Sequence, residues 1–110
     1  MNAKVVYNKD VLLQQLDGYT SRKVLAYNES LMLVEVHFEK GGIGSVHTHP
    51  HTQCTYVLEG SFEFTIDGEK HVVSKGDTIC FQPNVPHGTL CLEKGILLDC
   101  FSPMREDFIK

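Results

Sequence analysis

The sequence predicts an all-β domain, and three observations make the prediction. Apolar and polar residues alternate with a period of two along most of the chain. Turn signals rich in Gly and Asp recur at short, regular intervals, and no helical run is long enough to act as a crossover between parallel strands. Many short strands without crossover helices imply an antiparallel sandwich or barrel.

Taken in chain order, the first helix signal is also the last: a turn or two around "KDVLLQQL". From residue 21 onward the chain reads as roughly eight short strands, punctuated by "NES", "EKGG", "EGS", "DGE", "SKGD" and "EKG". "LMLVEVHFE" sets Met32, Val34, Val36 and Phe38 against Leu31, Leu33, Glu35 and His37, the pattern of a strand with one buried face. "SFEFTID" points Phe62, Phe64 and Ile66 one way and Glu63, Thr65 and Asp67 the other. Asp67-Gly68 follows at once, a strong hairpin signal between two alternating runs. "GILLDCFSPMREDF" puts Leu97, Asp99 and Phe101 on one face, with Ile96, Leu98 and Cys100 on the other, and Pro103 ends the strand. No linker or repeat divides the 110 residues, a length typical of one domain.

Composition narrows the partners. A net charge of −4 and the lack of a basic patch argue against nucleic acid. No apolar run reaches the length of a membrane span, so no membrane is expected. "MNAKVVYNKD" lacks the positive-then-apolar pattern of a secretory signal. Cys54, Cys80, Cys91 and Cys100 show no CxxC spacing. Together these features predict a cytoplasmic protein with reduced thiols packed as small hydrophobes. Cys54 alone lies near the histidines and keeps a ligand alternative.

The chemistry concentrates in "HTHPHTQCTY", which carries three of the six histidines. Residues i and i+2 of a strand share a face, so His47 and His49 point the same way, close enough to share one ion. Pro50 biases His49 toward extended geometry. His87 follows a Pro- and Asn-rich turn in "QPNVPHGTL", at the start of another strand. Isolated histidines such as His37 and His71 are expected at the surface or satisfied in the core. An HxH pair joined by a third His favours a metal. On the last strand, Asp99 sits between Leu97 and Phe101, so it is either paired within the core or turned into a cavity. The cavity reading is preferred, because a barrel interior is where the metal must lie.

"GGIGSVHTHPHTQCTYVLEG" resembles the first cupin motif, G-x5-H-x-H-x3-E-x6-G, with Gly41, His47, His49 and Gly60 in register and Gln53 in place of Glu. "GDTICFQPNVPHGTLC" resembles the second, G-x5-P-x-G-x2-H-x3-N. Gly76 and His87 match, while Gln82, Asn84 and Cys91 replace Pro, Gly and Asn. The resemblance implies a single-domain cupin, a double-stranded β-helix or jelly-roll barrel. His51 competes as a ligand, but that register gives it no ligand slot, so it falls either just behind the ligands or at the pocket rim. Gln53 would leave the ion its full positive charge, which favours an anionic substrate and Lewis-acid chemistry over iron-oxygenase chemistry.

"SRKVLAY", "HTHPHTQCTYVLEG", "NVPHG" and "LLDCFSPMREDF" together are similar to the small KdgF-type cupins of pectin and alginate degradation. Those enzymes convert 4,5-unsaturated monouronates to linear 5-keto-4-deoxyuronate. The resemblance assigns one divalent ion per chain (zinc, nickel, cobalt, manganese or iron) to His47, His49, Gln53 and His87. It assigns catalysis to Asp99, Phe101 and Arg105, and implies a small anionic sugar as substrate. Residues 21–110 would form the barrel with its catalytic strand and tail. Residues 1–20 carry no motif and suit contact with a second subunit in a homodimer. Two other readings stay open: a cupin metal oxygenase or isomerase acting on another small anion, and a non-catalytic sugar-binding cupin.

Overall fold

The computed structural model describes residues 2–110, and the alternating runs become strands in their expected places. They are β1 (Gln14–Gln15), β2 (Thr20–Tyr27), β3 (Met32–Phe38), β4 (Ile43–His47), β5 (Thr52–Ile66), β6 (Glu69–Ser74), β7 (Thr78–Phe81) and β8 (His87–Ser102). All the pairings are antiparallel. Among the described residues no helix is long and apolar enough to cross a membrane.

Two long strands create the jelly roll. The second half of β8 pairs with β3, and its first half pairs with β4. β5 runs beside β8 throughout; its first half pairs with β7 and its second half with β6. Each long strand therefore belongs to two sheets. One sheet runs β1-β2-β3-β8-β5-β7 and the other runs β4-β8-β5-β6. The corner lies where the β5–β8 register shifts, between Val57 and Phe62. Gly60 there has φ +83°, a left-handed conformation that favours glycine, and a Cβ on it would stand 2.6 Å from the carbonyl oxygens of Glu93 and Lys94. Gly95 faces it, and a Cβ there would run into the Glu59 carbonyl.

The barrel interior is filled by the predicted faces. Phe38, Val57, Phe62, Phe64, Phe81, Cys91 and Leu97 form one buried cluster. Met32, Val34 and Phe101 form a second, closed over by Met104 and Phe108 from the C-terminal tail. The β5–β6 hairpin turns at Asp67 and Gly68, both at positive φ, as Asp-Gly predicts.

"KDVLLQQL" departs from the helical expectation. Only Asn8–Asp10 forms a 3₁₀ turn, and the chain then runs extended into β1 at the sheet edge, Gln14 opposite Arg22. A two-turn helix costs its nucleation and gains little without a face to bury, and Leu12 is 82% exposed here. Pairing with β2 satisfies part of the backbone instead. Asn8 ties the segment to the barrel, accepting from Lys23 Nζ at 2.7 Å and donating to Glu35 at 3.0 Å.

Candidate metal centre and active-site cavity

His47 ends β4, His87 opens β8, and the two are register partners. His49 lies in the bend that leads to β5. Nitrogen atoms from the three rings all lie within 4.8 Å of one another. The ring orientations are imposed by the backbone. His47 Nδ1 meets the Ser45 carbonyl and His87 Nδ1 the Val85 carbonyl, both at 2.8 Å. A carbonyl accepts, so each Nδ1 carries the hydrogen and each Nε2 presents its lone pair. His87 Nε2 is buried with no partner among the protein groups. A buried, orphaned nitrogen is costly, and a cation satisfies it. Burial pushes both His49 and His87 below the ordinary imidazole value, toward the neutral form that binds metal.

Gln53 supplies a fourth donor. Its Oε1 lies 2.8 Å from His49 Nε2. Its amide nitrogen donates to Thr55 Oγ1 at 2.9 Å and, at the long end of the range, to Asp99 Oδ1 at 3.4 Å. Two acceptors on one side decide which way the amide points: NH2 toward Asp99, oxygen toward the histidines. Three imidazole nitrogens and an amide oxygen, one of the nitrogens otherwise orphaned, fit a divalent cation.

Asp99 is buried opposite Thr55 and stands outside the histidine trio. Thr55 donates to its Oδ1 at 2.6 Å. Burial pushes the Asp99 carboxyl up to about 6, while the bonds from Thr55 and Gln53 and the charge of Arg105 pull the other way. Desolvation wins, so the group can hold or release a proton near neutrality. Asp99, His47, Gln53, His87, Phe101 and Arg105 all line one cavity of about 270 Å³, the scale of a small-ligand site.

Phe101 is buried with its ring edge-on to His49 at 5.7 Å. Arg105 lies over that ring, 5.0 Å from its centroid. Its Nε and Nη2 donate to the two Asp107 oxygens at 3.1 and 3.0 Å, so part of the guanidinium is already engaged. Local sequence did not point to Phe108, which also lines the cavity, or to Arg22, which lies over its ring. Phe108 is stacked between Arg22 at 3.9 Å and Arg105 at 4.3 Å. The sequence reading also missed Thr55, although the spacing Gln53-x-Thr55 puts both on one strand face.

Two histidine-flanking residues fall away from the centre. His51 packs behind His49, 5.4 Å between rings, and does not join the trio. Cys54 is corrected as a ligand alternative: it is exposed on the outer face of β5, in register with Cys80 and Cys100. Strand alternation requires this, because Gln53 and Thr55 on either side point inward.

A cupin-domain family model matches residues 34–98, the span holding the histidines and most of β8. "Pectin degradation protein KdgF" of Dickeya dadantii (strain 3937) is 44% identical over 98 residues, 87% of this chain and 89% of that protein. The chain is a cupin of the KdgF group. Solved cupins superpose closely. KdgF from Halomonas sp. has a TM-score of 0.93 at 34% identity, covering 97% of this chain and 99% of that one. An RmlC-like cupin from Shewanella frigidimarina NCIMB 400 has a TM-score of 0.92 at 39% identity, covering 97% and 96%. The polyketide cyclase RemF from Streptomyces resistomycificus, at 22% identity and a TM-score of 0.82, shares the fold alone.

Proposed function

We propose that this cupin opens 4,5-unsaturated monouronates to linear 5-keto-4-deoxyuronate, using one divalent ion (zinc, nickel, cobalt, manganese or iron) held by His47, His49, Gln53 and His87. The observation that carries the proposal is the placement of Asp99. A carboxyl group raised to about 6 faces the same cavity as His47, His87 and Gln53 without belonging to the histidine trio. The 44% identity to a protein named for pectin degradation supports the substrate class.

The substrate is an enol ether conjugated to a carboxylate. A proton adds to one alkene carbon and water to the ring-oxygen-bearing other; the hemiketal so formed breaks its ring C–O bond to give the ketone, and the hydrated aldehyde left at the far end of the chain sheds one water, a net isomerisation. When bound, the ion supplies a fixed positive charge for the carboxylate and for charge developing along the conjugated system. Asp99 delivers and recovers the proton, a role its raised value suits. Its Oδ1 is held by Thr55, which leaves Oδ2 for the substrate. Arg105 offers the guanidinium face not turned to Asp107. Phe101 offers an apolar face for the sugar ring to pack against.

The protein is proposed to act in the cytoplasm as a homodimer. Tyr27, Leu31, Tyr56 and Leu58 leave 37–50% of their surface exposed on β2, β5 and the β2–β3 turn, apolar surface that a second copy would cover. Exposed Val5 and Leu12 in the N-terminal segment add to it.

Incubation with an unsaturated monouronate, following the ultraviolet absorbance of the conjugated alkene, tests the reaction. The absorbance should decay with metal-loaded protein, stop after chelation and resume when a divalent ion is restored. No decay with fully loaded protein would overturn the assignment.

A further inference from the structure

We propose that Thr55 is a positioning residue whose single hydroxyl orients both the amide ligand Gln53 and the acid–base group Asp99. The inference rests on the reaction reading above only in its second half; the first half concerns metal binding alone.

The geometry is a short chain of hydrogen bonds with a fixed direction. Gln53 Nε2 donates to Thr55 Oγ1 at 2.9 Å, and Thr55 Oγ1 donates to Asp99 Oδ1 at 2.6 Å. A hydroxyl has one hydrogen, and here Asp99 takes it. The Thr55 oxygen can then only accept from Gln53, so it must be met by NH2 and not by the amide oxygen. That choice turns Gln53 Oε1 toward His49. If the hydroxyl is removed, the amide nitrogen keeps only its 3.4 Å contact to Asp99. The opposite rotamer would then aim NH2 at the histidine trio, where a cation rejects it. Asp99 loses its shortest bond in the same change, and with it the constraint on which oxygen faces the cavity.

A plain packing role is the competing account. Thr55 is 1% exposed on a central strand, and a β-branched residue suits that slot whatever its polarity. The two accounts diverge at Thr55→Val, which keeps the branch and removes the hydroxyl. Packing alone predicts normal metal binding and turnover. Positioning predicts loss of both in a folded protein.

Zinc affinity is measured by competition with a chromophoric chelator, together with kcat, KM and the melting temperature of the metal-free protein. Groups that orient a ligand typically contribute 10–100-fold to metal affinity. Thr55→Val should therefore weaken zinc binding by about that factor, and kcat should fall with KM little changed. Thr55→Ser, which restores the hydroxyl, should recover both. Thr55→Ala beside Thr55→Ser forms a second pair differing only in the hydroxyl, which decides the matter if the Val variant does not fold. Zinc affinity equal to wild type in a folded Val or Ala variant overturns the proposal. So does a Ser variant that binds zinc no better than Ala. If zinc affinity follows the hydroxyl while wild type leaves the uronate untouched, it is the reaction reading that fails and the placement of Gln53 that stands.

Discussion

At the scale of single residues, the site depends on one amide and one carboxyl, 3.4 Å apart. Gln53→Glu would replace a donor facing Asp99 with a second carboxylate. Two carboxylates at that distance cannot both ionise easily, so Asp99 would be driven further toward its protonated form. The variant should keep its metal, since a carboxylate is the stronger ligand, yet lose turnover and grip on an anionic substrate. Elemental analysis and steady-state rates on one sample check this, and wild-type kinetics in the Glu variant would refute it. Asp99 also links the site to stability. Its folded value of about 6 lies above the ordinary 3.8, so the folded state holds the proton more tightly than the unfolded chain. The stability this confers is complete below 3.8 and is lost as pH rises through about 6. The loss is on the order of 3 kcal/mol in the metal-free protein. His49 and His87, lowered by burial, change in the opposite sense over neighbouring pH, and comparison with Asp99→Asn cancels them.

At the scale of elements, strand alternation made most of the site legible. His47 beside His49, and Leu97-x-Asp99-x-Phe101, were readable because a period of two assigns each side chain a face. The same rule applied to Gln53, Cys54 and Thr55 would have turned Cys54 outward and brought Thr55 in. Pairings between distant strands were not legible. That Thr55 stands opposite Asp99, 44 residues away, follows from the β5–β8 register and not from local sequence. Phe108 reaches Arg22 because the tail folds back over the barrel mouth, which no local periodicity records. The N-terminal helix failed because tertiary edge pairing outweighed propensity. The corner between the two sheets offers a sharp test of the long-strand architecture. Gly95→Ala places a methyl group into the Glu59 carbonyl, a backbone atom that cannot swing aside. The variant should lose at least about 2 kcal/mol in denaturant unfolding, in the range of severe backbone clashes. A Gly68→Ala control, with open space around its Cβ, should lose less and only through its positive φ.

At the scale of the whole molecule, the exposed apolar side chains on β2 and β5 are where the proposed homodimer would pack. Light scattering should give the mass of a dimer at micromolar concentration, and a monomer there would remove the proposed assembly. The overall design separates two tasks across one cavity. In the proposed account three histidines and an amide would hold a cation, and a buried, protonatable carboxyl stands beside them, bonded to the amide. The most direct test of that division is the turnover of metal-loaded Asp99→Asn on unsaturated monouronate, with metal content and melting temperature read on the same sample at pH 7. Metal content should match wild type, and the melting temperature should equal or exceed it, because a buried carboxylate has been removed. The rate should fall by about 10²–10⁴-fold, the usual contribution of one general acid–base group. A folded, metal-loaded Asp99→Asn protein that turns over at the wild-type rate would contradict the account.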